Sequence, residues 1–108
     1  MSKPTDPVVI RVWNGDPDDV FALFPTDPAD IYGHFCTSYQ HVGQHSAADY
    51  ALCIRKSRPA TRREAAPLLV ELRHIGYWPR VLQRANRRHH DQRLSAAAAI
   101  DKAARGVA

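Results

Sequence analysis

The sequence predicts an α+β domain: a small, mainly antiparallel sheet of about four strands covered by one amphipathic helix, with an exposed helix at the C-terminal end. Three observations predict it. β-Branched and aromatic runs break at turn residues through the first half, a capped apolar stripe lies at 61–75, and strong helix formers dominate after residue 86. At 108 residues the chain fits one core. The expected division is a flexible arm at 1–7, a single α+β domain at 8–85, and a basic, Ala-rich helix and tail at 86–108.

The arm is expected because residues 1–7 hold two prolines and no apolar period. Val8-Val9-Ile10-Arg11-Val12-Trp13 then reads as a strand, and Asn14-Gly15 supplies the positive φ of a hairpin turn. Val20-Phe21-Ala22-Leu23-Phe24 reads as the returning strand, ended by Pro25, with a loop over 25–30. A third strand is expected at 34–40. Residues 41–50 match neither period, so an ordered loop or a helical turn is expected there. Tyr50-Ala51-Leu52-Cys53-Ile54 fits a short strand or a buried helical turn equally well.

Thr61-Arg62-Arg63-Glu64 has the form of a capping box, in which the threonine oxygen and the glutamate carboxylate each accept a backbone N–H of the other's residue. Leu68, Leu69, Leu72 and Ile75 follow as one helical stripe stopped by Gly76, with Pro67 as the awkward interior residue. Residues 78–84 predict an edge strand that offers Tyr77, Val81 and Leu82 to the core, since Pro79 cannot donate to a ladder. The final helix begins at an Asn86 cap and stops near Gly106, with few large apolar residues beyond Leu94 and Ile100.

Charge is divided along the chain. Residues 1–50 carry two basic and seven acidic side chains, net −5, and residues 51–108 carry thirteen basic and four acidic, net +9. Arg80, Arg84, Arg87, Arg88 and Arg93, with His89 and His90 among them and Arg55, Lys56, Arg58, Arg62 and Arg63 upstream, form a candidate partner-binding patch, because the guanidinium fork suits carboxylate and phosphate. A basic stripe serves nucleic acid, an acidic protein surface or plain solvation.

His41, His45 and Asp49 stand four apart, which on a helix would place them on one face at metal-ligand spacing, but Gly43 interrupts the segment and no fourth ligand is evident. The expectation is therefore no metal and no cofactor, with His41, Gln44, His45 and Asp49 as a polar loop site. Cys36, Ser38 or Cys53 beside His34 or His41 would be the only nucleophile pairs, and sequence proximity gives them no geometry. No phosphate-cradling glycine loop is present. With no apolar run approaching about 20 residues and no apolar stretch near the N-terminus, a cytoplasmic location with Cys36 and Cys53 as buried free thiols is expected, without membrane contact.

Ala22-Leu23-Phe24-Pro25, Pro28-Ala29-Asp30, the segment from Ser38 to His45, Ala48-Asp49-Tyr50, and Arg58-Pro59-Ala60-Thr61 through Ile75-Gly76-Tyr77 resemble a group of short uncharacterised proteins encoded on phages, plasmids and other mobile elements. The likeness spans about residues 8–90 and carries no catalytic residues. It implies a context in which small proteins occlude host machinery, anti-CRISPR proteins being one such class. The functional expectation is a non-enzymatic binding protein, an inhibitor docked on a host defence nucleoprotein such as a CRISPR effector. The alternatives are direct nucleic-acid binding through the arginine-rich half and a metal-dependent enzyme centred on His41, His45 and Asp49.

Overall fold

The apolar run at 8–12 becomes the centre of the sheet, because it is the stretch that both faces can bury. The computed structural model describes residues 5–16, 18–40 and 44–106. Strand β1 (Asp6–Trp13) pairs antiparallel with β2 (Val20–Pro28) in the register Val9↔Leu23, and Gly15, at φ +88°, occupies the third position of the turn closed by Asp16 N–H to the Trp13 carbonyl. Strands β3 (Cys36–Gln40) and β4 (Gln44–Ala48) extend the sheet antiparallel beyond β2.

On its other side β1 meets two short strands rather than one. Its C-terminal half pairs antiparallel with β5 (Ser57–Pro59), and its N-terminal half pairs parallel with β6 (Pro79–Leu82). The order is thus β4-β3-β2-β1, with a divided outer edge, and the sheet is open.

Two helices cover opposite faces. Helix α2 (Arg62–His74) packs Ala65, Leu68 and Leu72 on Val8, Ile10, Ala22, Phe24 and Tyr39, while α1 (Tyr50–Arg55) brings Cys53 and Ile54 to Val9, Phe21, Leu23 and Cys36. The α2 capping box forms as its sequence predicts: Thr61 Oγ1 accepts from Glu64 N–H at 3.2 Å and Glu64 Oε1 accepts from Thr61 N–H at 2.9 Å. The Arg58 guanidinium grips the same carboxylate at 2.6 and 2.8 Å, and with the Thr61 N–H it holds the Glu64 carboxyl down at about 2. Pro67 lies within the helix at an exposed position and forfeits one intrahelical hydrogen bond there.

Helix α3 (Arg87–Gly106) docks on the far end of β2 and buries Arg93 and Ala97, so one side of the helix expected to be exposed is covered. Gly33 makes the close approach possible. Its φ is +74°, and a Cβ there would lie 3.1 Å from Ala97 Cβ and 3.2 Å from the Arg93 carbonyl.

Several elements differ from expectation for identifiable reasons. Asp6 and Pro7 belong to β1 rather than to an arm, because β6 pairs with them; residues 1–4 lie outside the described ones. β2 runs through Pro25 to Pro28, since the register against β3 shifts between Phe24 and Pro28 and a bulge tolerates the missing N–H. Ile75 is 47% exposed because the helix has ended, and Ala65 takes its place in the stripe. Val81 is 53% exposed, so only Tyr77 and Leu82 of that segment reach the core clusters. Tyr50 to Ile54 resolves as helix, capped by Asp49.

Candidate interaction edge

The residues from Pro79 to Arg88 form the corner where the sheet's divided edge passes into α3. Arg80 projects from β6, with Nε 3.3 Å from Thr5 Oγ1, and Arg84, Arg87 and Arg88 follow on the turn and the first helical turn, all exposed. None of these four arginines forms an ion pair among the described residues. The turn that carries them is fixed from beneath. Ala85 N–H donates to Tyr50 Oη at 2.7 Å, Asn86 Oδ1 accepts from His89 N–H at 3.1 Å, and Asn86 N–H donates to His89 Nδ1 at 3.0 Å. Asn86 and His89 therefore cap α3 reciprocally, as a threonine and a glutamate cap α2.

Arg93 belongs to the interior instead. It is 7% exposed, and its guanidinium donates to the Gly33 carbonyl at 2.8 Å, the Pro25 carbonyl at 2.7 Å and His90 Nδ1 at 2.8 Å. The β2 bulge leaves the Pro25 carbonyl without a strand partner, and Arg93 supplies the donor. The patch expected from sequence thus reduces to Arg80, Arg84, Arg87 and Arg88, with Arg93 as the anchor of the helix that presents them.

Beside this corner lies a groove of about 640 Å³ at the division between β5 and β6. Buried Ile10 lies at its base, Pro59 and Ala60 line one side, Val81 and Leu82 the other, and α2 adds Ala66. Arg62 is the one charged side chain in the lining. No family model matches the chain, and no curated protein or solved structure matches it. The acidic half of the sequence falls largely at the strand ends: Asp16, Asp18 and Asp19 in the β1–β2 turn, Asp27 and Asp30 at the opposite end of β2. Three acids lie near the groove and the four-arginine corner: Asp91, one turn along α3, Glu64, two residues past Arg62 and gripped by Arg58, and Asp6, which pairs with Pro79 and whose Oδ2 accepts from Trp78 N–H at 2.7 Å.

The polar segment does not assemble as the spacing suggests. His41 lies outside the described residues, as does the side chain of Gln44. His45 sits on β4, where its Nε2 meets Tyr77 Oη at 2.9 Å, whereas Asp49 Oδ1 caps α1 by accepting from Leu52 N–H at 3.2 Å. A strand and a cap replace the single helix on which a metal triad would depend. Among the described residues no three His, Cys, Asp or Glu side chains are grouped to hold a metal ion.

The nucleophile candidates are occupied or muted. Cys36 is fully buried and its thiol is pushed up to about 11 by desolvation, Cys53 is raised for the same reason, and Ser38 Oγ lies 2.8 Å from Ser46 Oγ in the β3–β4 ladder. His34 stacks on Tyr32 at 5.6 Å between centroids. Both cysteines are free. Among the described residues no helix is long and apolar enough to cross a membrane.

Sequence reasoning missed the groove because β5 is three residues long and carries no period. The available signal was Arg11, a charge within an apolar strand. Such a residue demands buried acceptors, and it finds them around β5, donating to Ser57 Oγ at 2.9 Å, the Ser57 carbonyl at 2.7 Å and the Ile54 carbonyl at 3.0 Å.

Proposed function

We propose that this chain is a non-enzymatic binding protein that docks on an acidic protein surface through the corner bearing Arg80, Arg84, Arg87 and Arg88. The observation that carries the reading is four exposed arginines, without an ion pair among the described residues, on one corner next to an apolar groove. An apolar groove contributes little to holding a phosphodiester backbone, whereas a protein partner uses both features, charge for steering and apolar area for residence. The mobile-element resemblance extends the proposal to a host defence nucleoprotein inhibited by occlusion. Affinity capture from a host lysate, with and without nuclease, tests the reading. The same partner band must survive nuclease and be lost with an Arg84→Glu, Arg87→Glu, Arg88→Glu variant. Bands that vanish on nuclease treatment support direct nucleic-acid binding instead.

A further inference from the structure

β5 and β6 approach β1 from the same side and stop where they meet, at Ala60 and Leu82, with Ala60 N–H donating to the Ile10 carbonyl at 3.1 Å. The outer rim of both strands is unpaired in the sheet. Such a rim is a template for another extended chain, which natural edge strands counter by shortness, proline and charge. β6 is four residues long with Pro79 at its start and Arg80 within it, so it discourages indiscriminate pairing, and the charge of Arg80 leaves an acidic chain as the compatible addition beside Val81 and Leu82. The opposite edge, β4, reads Gln44-His45-Ser46-Ala47-Ala48, with no carboxylate, lysine or arginine, so the two rims of the sheet differ in charge.

We infer that the divided edge takes an extended acidic peptide segment of a protein partner, which adds a strand to β6 and seats an apolar side chain in the groove over Ile10. This rests on the docking reading above and names what docks. Charge selects the occupant. Arg62 lines the groove, Arg80 and Arg84 flank it on and after β6, and no acidic residue is among the lining. A second copy of this chain paired edge to edge would bring the Arg80 of each four-residue β6 into one short interface, which like-charge repulsion disfavours. A carboxylate-bearing strand meets Arg80 on one face of β6, and its alternate apolar residues fall beside Val81 toward the groove.

The test uses a labelled peptide of alternating glutamate and valine, titrated against the full chain by fluorescence anisotropy. Three companions are titrated in parallel: the lysine–valine analogue, and the parent peptide N-methylated at every second residue in each of its two registers. The expected result is saturable binding of the parent, no binding of the lysine analogue, and a loss of at least about tenfold in one N-methyl register only, because a strand presents one edge to β6. An Ala66→Glu substitution, at an exposed helical position in the groove wall, must weaken the parent by a similar factor. Failure of the parent to bind, equal binding of the lysine analogue, equal behaviour of the two N-methyl registers, or indifference to Ala66→Glu each overturns the inference. Its failure is separable from failure of the docking reading, which stands while charge reversal at Arg84, Arg87 and Arg88 still abolishes capture.

Discussion

Replacing Arg93 with methionine separates an anchoring arginine from the presenting ones. Methionine keeps the aliphatic stem but removes every donor, so the Gly33 and Pro25 carbonyls, both in buried hydrogen bonds at 2.8 and 2.7 Å, lose their partner. Each buried acceptor left unsatisfied costs about 1–3 kcal/mol. Removing the desolvated cation returns part of that, leaving a net loss of about 2–4 kcal/mol. For a domain near this size each kcal/mol moves Tm by about 4 °C, so Arg93→Met should melt about 8–16 °C lower. Arg88→Met, at an exposed position without an ion pair, should stay within about 0.5 kcal/mol of the parent. Thermal unfolding followed by circular dichroism, on both variants at one pH, is the assay. Equal melting temperatures for the two would refute the assignment of Arg93 to the interior and of α3 to a docked position.

The neighbouring contacts give further expectations. Gly33→Ala should destabilise more than Gly15→Ala in the same melt, since both positions have positive φ but only Gly33 would press a Cβ onto Ala97 and the Arg93 carbonyl. His90 accepts from Arg93 on Nδ1, with Tyr50 edge-on at 4.8 Å; burial, then Arg93 and His89, hold its pKa below the ordinary histidine value, against a raising effect from Asp91. The unfolded chain binds that proton more readily, so stability from this site is complete above about pH 6.5 and is lost as pH falls through the lower folded value. A His90→Gln variant should flatten the stability profile over that window. Cys36 should react with a thiol reagent at neutral pH far more slowly in the native protein than in denaturant, because its buried thiol sits at about 11. Thr61→Ala should cost about 1 kcal/mol in a chemical denaturation through loss of the α2 cap.

What the sequence disclosed follows from which signals are local. The β1–β2 hairpin, the α2 capping box and the final helix each rest on residues within a few positions of one another, and each forms. The three-residue β5, the parallel pairing of β6 and the course of β2 past Pro25 depend on partners far along the chain, with Arg11 and Ser57 separated by 46 positions and Arg93 and Pro25 by 68. The same distinction governs the candidate site. Arg84, Arg87 and Arg88 were legible as a cluster because helical and turn geometry keeps them exposed together. Arg93 carries the same charge and spacing, and only the bulge carbonyl across the fold assigns it to the interior. The His41, His45 and Asp49 spacing has meaning only on a helix, and His45 lies on a strand while Asp49 follows that strand as the N-cap of α1.

The claim that the arginine corner meets a protein rather than a phosphate backbone is tested most directly by titrating labelled single- and double-stranded oligonucleotides of about 20 nucleotides, at low and at physiological salt, because phosphate contacts strengthen steeply as salt falls. The wild type and an Arg87→Glu, Arg88→Glu variant are compared side by side. A corner that docks on protein should bind these oligonucleotides weakly even at low salt, with little change in the variant, while capture of the protein partner from lysate is lost in that variant. Sub-micromolar binding by the wild type that weakens with salt and disappears in the variant would contradict the claim and assign the corner to nucleic acid.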